Sequence, residues 1–460
     1  MTISNGWSRA AAPVLLALTC LLGACGGTNV APQEADSSFT TLTGGGLEHV
    51  HALEFTYDGG YVLGGTFQGT TNIAGTEFTA TGDGELFITK MDRNRRDVEW
   101  TATARAELGI DLGGVAVLDD GSIMIAGSIG GVAVFGDMTV SNSNQDWDGF
   151  VAKLDSTGNW MWAQNAGGPG FDTSTGIAAS NNGDVIVVGM FTLDASFGGT
   201  KLRSVGDGYD AYVAKIGSDG TWKWVLAGGG PGREGAVSVS STDDGGAYVV
   251  GGFDADTTIG DIPLTRVDGM TDAFVAKVSS SGKWSWATGL AGHNYDFAAG
   301  AKTSVDGGVV VSMRVEDTVR YGDTGYAGSM QFAKLDSSGA VVWRTPSVDS
   351  NSNQVLDLER SGDNFVAVGW FADTLELDGD SRTAFDRRDM MIVSVSADGE
   401  LSWMCSVGGF YNDAATQVGV DRSGGLLIVG SHQSTIVIDG TSIRSNGWLG
   451  DTVLFPCDSR

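Results

Sequence analysis

Proline is scarce in this 460-residue chain: there are 7, against 71 glycines. Collagen-like and disordered chains carry the two residues together and lack the 42% apolar and 9% aromatic content found here, so both classes are excluded. Basic residues are also few. Lys plus Arg number 27 against 56 Asp plus Glu, a formal net charge of -29. A surface of that sign repels phosphate backbones, so nucleic acid is not expected as a partner. Four His and four Cys leave little material for a metal centre or a disulfide framework. No GxSxG motif and no P-loop occurs. What is present is a folded, acidic chain rich in tight turns.

The start of the chain carries an address. Arg9 precedes a 13-residue apolar run, 10 to 22, that closes on Leu22, Gly23, Ala24 and Cys25. A run of that length is too short to span the roughly 30 Å of a bilayer core as a helix, and it reads as an export signal. The LGAC ending resembles the lipobox of bacterial lipoproteins. That resemblance implies removal of residues 1–24 and acylation of Cys25, which anchors the chain to a membrane. Gly26 stands where the family's inner-membrane retention signal would place Asp, so the outer membrane is expected. An ordinary secretory signal that ends near a Cys is the alternative. Residues 25–37 show no apolar periodicity and read as a flexible tether.

From residue 38 one phrase recurs. It is clearest as DGFVAKLDSTGNWMW from Asp148, DAYVAKIGSDGTWKW from Asp210 and DAFVAKVSSSGKWSW from Asp272. Further copies open at Glu85, Met330, Asp389 and Asp451, at intervals of 63, 62, 62, 58, 59 and 62 residues. Seven copies at one period indicate a repeat architecture. Each copy alternates at period two, turns at a Gly, and leads to a Trp-bearing segment; two more strand-like segments follow, such as TGIAAS from Thr175 and VIVVGMF from Val185. The expectation is an all-β, seven-bladed β-propeller of four-stranded blades, occupying 38–460 as a single domain. The last copy lacks its outer strand while the N-terminus begins with an orphan, SFTTLTGGG from Ser38, that aligns with WAQNAGGPG from Trp162. The N-terminal strand therefore closes the ring and removes the free edges that invite aggregation. These phrases resemble the bacterial SBBP family of seven-bladed propeller repeats, a resemblance that implies a fold, and a surface or secreted location, without implying a reaction.

Nine of thirteen Trp fall in the outer-strand slot, where packing between blades is expected rather than sugar stacking or quinone binding. Aligning the loop before each inner strand places Glu48, Asp111, Asp172, Glu234, Asp296 and Asp413 at one position, with Gln354 as the exception. Such a ring near the channel mouth would hold a divalent cation or a cationic ligand, or else each acid accepts backbone N–H bonds and fixes the crossing between blades. A second acid set, Glu85, Asp148, Asp210, Asp272, Asp389 and Asp451, opens the third strand, with Met330 departing. His49 and His51 lie beside Glu48 as a polar cluster that would seat a lyase or hydrolase. His293 and His432 are isolated. The connections after the second strand read as Gly-centred hairpins that build a raised, variable rim, the expected interaction surface. Cys405 and Cys457 remain to form a disulfide or to stay as two buried thiols. The sequence thus points to a monomeric, lipid-anchored envelope module that binds a protein or glycan. A channel-mouth enzyme and a cation-dependent adhesin are the alternatives, and no cofactor is expected beyond a divalent cation in the acidic ring.

Overall fold

The alternating DxFVAK phrases become the third of four antiparallel strands in each blade, as in Trp147–Leu154, Asp210–Ile216 and Asp272–Val278. The computed structural model describes residues 40–457 apart from 45–47, 74–75, 83, 95–96, 142–145, 268–269, 291–294, 316–328, 347–352, 439 and 446–449. Cys25, the signal and tether segments, His293 and the side chain of Glu48 lie outside the described residues. Ser38–Arg460 form one contact unit, and among the described residues no helix is long and apolar enough to cross a membrane.

Blade 1 runs inner strand Glu48–Phe55, second strand Tyr61–Phe67, third strand Glu85–Met91 and outer strand Val98–Ala106. Blades 2 to 6 repeat this order, with inner strands Gly109–Val117, Thr173–Ala179, Glu234–Ser241, Phe297–Thr303 and Asn353–Ser361. Blade 7 has the inner strand Asp413–Val420, and its third strand Asp451–Pro456 pairs on its free side with Thr40–Gly44, Thr40 opposite Leu454 and Leu42 opposite Thr452. The chain's first strand is thus the last strand of the ring. Near this seam Cys405, in the outer strand of blade 6, is joined to Cys457 by a disulfide.

The second and third strands are buried almost throughout, because each blade is covered on both faces by its neighbours. The outer-strand Trp residues make those contacts specific. The indole N–H of Trp100 donates to Ser156 O, that of Trp162 to Ser218 O, that of Trp224 to Ser280 O and that of Trp286 to Ser337 O, each in the turn of the next blade. The glycine of that turn lies flat on the ring. Gly282 holds φ at +72°, and a Cβ there would meet Trp224 at 2.6 Å, so both the backbone conformation and the space require Gly.

Three of the hairpins after the second strands join the sheet of a neighbouring blade. The blade 1 hairpin, Thr70–Ile73 and Thr76–Thr79, pairs onto the closing strand of blade 7; that of blade 2, Val132–Phe135 and Met138–Ser141, pairs onto the outer strand of blade 1. The blade 4 hairpin continues blade 3 in the same way. Alternate residues point inward and are buried, such as Phe135 and Phe197, whose rings meet Trp160 and Trp222 edge-on at 5.1 and 5.3 Å. The expected raised rim is thus corrected in part: apolar alternation buries one side of these short strands and latches three hairpins between blades, while the hairpins of blades 3, 6 and 7 form separate two-stranded sheets whose other side chains face solvent.

Candidate functional site

Every inner strand carries a β-bulge, at His51, Gly113, Thr175, Val237, Ala299, Leu356 and Thr416 in blades 1 to 7. A bulge resets which side chains face which way, so these seven positions fix the alignment of the blades. Three residues before the bulge stand Glu48, Ile110, Asp172, Glu234, Asp296, Asn353 and Asp413. Two sequence placements are corrected by that ruler. Asp111 is one residue off the acidic position, which Ile110 fills, and Asn353 rather than Gln354 is the blade 6 equivalent.

The acids that do share the position are not open to the channel. Asp172, Glu234, Asp296 and Asp413 are at most 1% exposed. The Asp172 carboxylate accepts the N–H groups of Gly168 at 2.6 Å and Thr192 at 3.0 Å, Glu234 accepts that of Gly230 at 3.0 Å, and Asp413 those of Gly409 at 2.7 Å and Gln433 at 3.2 Å. Asn353 accepts from Met330 N–H at 2.6 Å. Each therefore ties down the crossing into its blade. The second set faces it across the junction and caps the hairpin return: Asp210 accepts from Val205 N–H at 3.0 Å, Asp272 from Val267 at 2.7 Å and Asp389 from Phe385 at 2.9 Å. Gly167 fills the gap between Asp148 and Asp172; a Cβ there would lie 2.6 and 2.7 Å from the two carboxylates.

Burial pushes these groups up: Asp148 and Asp210 to about 6, and Asp172, Glu234 and Asp413 to about 7, against the pull of the N–H bonds. The Asp148 carboxylate adds to the rise of Asp172 across Gly167. Among the described residues no set of three or more His, Cys, Asp or Glu side chains is placed to hold a metal ion.

Three residues after the bulge the ring is asymmetric. The positions are Glu54, Ala116, Ala178, Ser240, Lys302, Glu359 and Gly419. Four are small; the other three are charged and line the bore. Lys302 Nζ lies 2.5 Å from Glu359 Oε2, with 29% and 25% of the two side chains exposed to the channel. Asp357, one residue after the blade 6 bulge, accepts Leu358 N–H at 2.8 Å and Val418 N–H at 3.0 Å. Burial pushes Glu54 up to about 7 against the pull of Lys302, with Glu359 and Asp357 adding to the rise. Asp357 is pushed up to about 6, again by burial against Lys302. Burial alone would lower the Lys302 ammonium, yet Glu359, Glu54 and Asp357 together hold it above its ordinary value. Three carboxyls thus share one ammonium.

The channel widens beyond this cluster, on the face where the first-to-second-strand turns lie, into a cavity of about 620 Å³. Ser240, Thr242, Asp244, Lys277, Thr303 and Arg360 are among its walls, a polar lining. At the channel's other end, His51 Nε2 is 3.3 Å from Thr66 Oγ1 and 3.7 Å from Asp111 Oδ1. Burial lowers the His51 pKa while Asp111 opposes the fall. His49 is exposed, its ring 6.1 Å from that of His51. His432 is buried, and its Nδ1 is 2.8 Å from Ser434 O.

Sequence reasoning missed Lys302, Asp357, Glu359 and Glu54. The signal was available: the inner-strand phrases GIAA and AVSVSS carry no charge, whereas ALEF, GAKT and LDLER do.

No protein-family model matches the chain. Over 109 residues, 23% of its length, it is 30% identical to the regulatory protein FlaEY of Caulobacter vibrioides, a match that spans 11% of that protein. Among solved structures, the β-propeller domain of the Trilobed protease from Pyrococcus furiosus is 9% identical, with 87% of this chain and 96% of that one covered at a TM-score of 0.42. The Neurospora crassa Pan2 WD40 domain is 11% identical, covering 76% and 90% at 0.39. Pyrococcus horikoshii acylaminoacyl peptidase is 10% identical, covering 87% of this chain and 53% of that one at 0.42. The seven-bladed assignment rests on the chain's own strand pairing.

Proposed function

We propose that this chain is a lipid-anchored envelope binding module that takes a ligand into its axial channel. The observation that carries the reading is the asymmetry three residues after the bulge. Four blades close the ring with Ala, Ser or Gly there, so the fold does not need a charge at that position. Enclosed charges cost desolvation free energy, and an apolar replacement of similar volume is often neutral or stabilising. Retaining Glu54, Lys302 and Glu359 together with Asp357 is understandable if they face a ligand. The LGAC motif and the likeness to SBBP repeats support an anchored, exported protein that presents this channel in the envelope.

Two measurements test the parts separately. Replacing Cys25 by Ser is expected to move the protein from the membrane fraction to the soluble fraction; continued membrane fractionation of the variant contradicts the anchor. The purified propeller, mixed with an envelope extract and separated by gel filtration, is expected to retain a small molecule identifiable by mass spectrometry. Retention unchanged when Lys302 and Glu359 are both replaced by Gln contradicts the channel as its site. The contact between His51 and Asp111 favours a second, catalytic reading, for which His51→Ala would abolish a turnover while leaving the Tm unchanged.

A further inference from the structure

The charge balance of the channel narrows the ligand class, an argument that rests on the channel being the binding site. Glu54 and Glu359, three residues after their bulges, and Asp357, one residue after its own, line the bore with Lys302 as the shared cation. Glu359 takes the direct contact, and Asp357 spends one oxygen on each of two backbone N–H groups. Glu54 makes no side-chain hydrogen bond among the described residues, although it borders both the bore and the wide cavity. Ala116 and Ala178, which border the wide cavity with it, supply no charge. A second cation would balance this arrangement. The three carboxyls are not grouped as a metal-ligand set, and hydroxyl-bearing walls lead to them from the turn face. We propose that the channel binds an organic cation through a primary ammonium group, which sits beside Glu54 and donates N–H bonds to the carboxylates that Lys302 leaves unmatched.

Proton exchange accompanies such binding. Glu54, pushed up by burial, is surrounded by Lys302, Glu359 and Asp357. Farther out are Lys277, Asp243, Asp244 and Arg360 in the wide cavity, and Arg422 and Tyr57 on the blade 7 and blade 1 turns. An added ammonium favours the ionised form of Glu54 and Asp357, so binding near pH 6.5 releases protons to the buffer.

The test is titration calorimetry of the purified protein at 0.15 M salt, which screens its acidic surface. The probes are spermidine and tetramethylammonium, a cation without N–H donors. Spermidine is expected to bind at one site, with a heat that changes with the ionisation enthalpy of the buffer, and at least about tenfold more tightly than tetramethylammonium. Glu54→Gln is expected to weaken spermidine binding about tenfold and to reduce the proton release. Ala178→Lys, which removes no native side-chain contact with Glu54, is expected to abolish binding by supplying the missing cation, and it serves if the Gln variant does not fold. Equal affinity for the two probes, or spermidine binding unaltered in a folded variant, overturns the inference. If the molecule retained from envelope extract is neutral or anionic and still requires Lys302 and Glu359, the ligand class falls and the binding module stands. If spermidine binds as expected and the extract yields nothing, the ligand class stands and the envelope role falls.

Discussion

Acidification from pH 8 to pH 5 is expected to raise the melting temperature of the propeller by about 5 °C. The direction follows from the carboxyls at the blade junctions. Asp148 and Asp210 are pushed up to about 6, and Asp172, Glu234 and Asp413 to about 7, whereas in the unfolded chain such groups titrate near 4. Between pH 4 and pH 7 the folded state therefore keeps protons that the unfolded state has released, and stability falls as pH rises through that window. The channel acids Glu54 and Asp357 act in the same direction. His51 and His432, whose values burial lowers, oppose it, since both must take up a proton on unfolding near pH 6; they are two against seven. After a heavy discount for pairing within junctions, the net is about 5 kcal/mol, and a chain of this size gains about 1 °C per kcal/mol. Below pH 4 the trend reverses. Asp58 and Asp306, held near 2, support the fold above pH 4 and lose that contribution as pH falls toward 2, Asp58 through its bonds to Lys90, Thr56 and Gly60 N–H against the upward push of burial, and Asp306 chiefly through its bond to Lys334. A melting temperature that falls steadily from pH 8 to pH 5 in thermal scans contradicts the burial of these acids.

Removing residues 38–44 is expected to have a larger effect, a loss of more than about 10 °C or outright aggregation on purification. The segment Thr40–Gly44 is paired on both sides, to Asp451–Pro456 and to the blade 1 hairpin Thr70–Ile73. Its deletion strips both partners of their ladders and exposes an apolar strand edge, TVLF, at the seam. Leu42, 1% exposed, leaves the cluster formed with Leu53, Ile73, Val429 and Leu454. Reducing the Cys405–Cys457 disulfide costs less, about 4 kcal/mol on the loop-entropy account for its separation of 52 residues, because it leaves both ladders intact. A truncated chain that melts within a few degrees of the full one shows that the ring does not need the N-terminal strand.

The closure was legible because it depends on strand register, and register is carried by the period-two alternation and by the 62-residue spacing themselves. Trp docking was legible for a similar reason: a large ring recurring in one slot has few other uses. The acidic ring was legible only in part. Glu234 and Asp413 were placed correctly, but Asp111 was off by one because an inner strand with a bulge does not keep a strict alternation, and a one-residue slip sends a side chain to the other face. The latching of three hairpins onto neighbouring blades is not legible, because composition marks a turn without telling what its flanking strands pair with. The channel cluster is hidden in the sequence because it occupies positions where repetition fails, and Lys302 and Glu359 are informative because their counterparts in blades 2, 3, 4 and 7 are Ala, Ala, Ser and Gly.

The most direct test of the channel as the binding site is the exchange of its ion pair, Lys302→Glu together with Glu359→Lys. The exchange conserves the number and sign of the charges, keeps a pair across blades 5 and 6, and moves the ammonium to the other side of the cluster. Retention of the envelope-derived small molecule is expected to be lost in this variant while its melting temperature stays within about 3 °C of the native chain. Undiminished retention by the exchanged, folded protein would place the ligand elsewhere on the propeller and contradict the account.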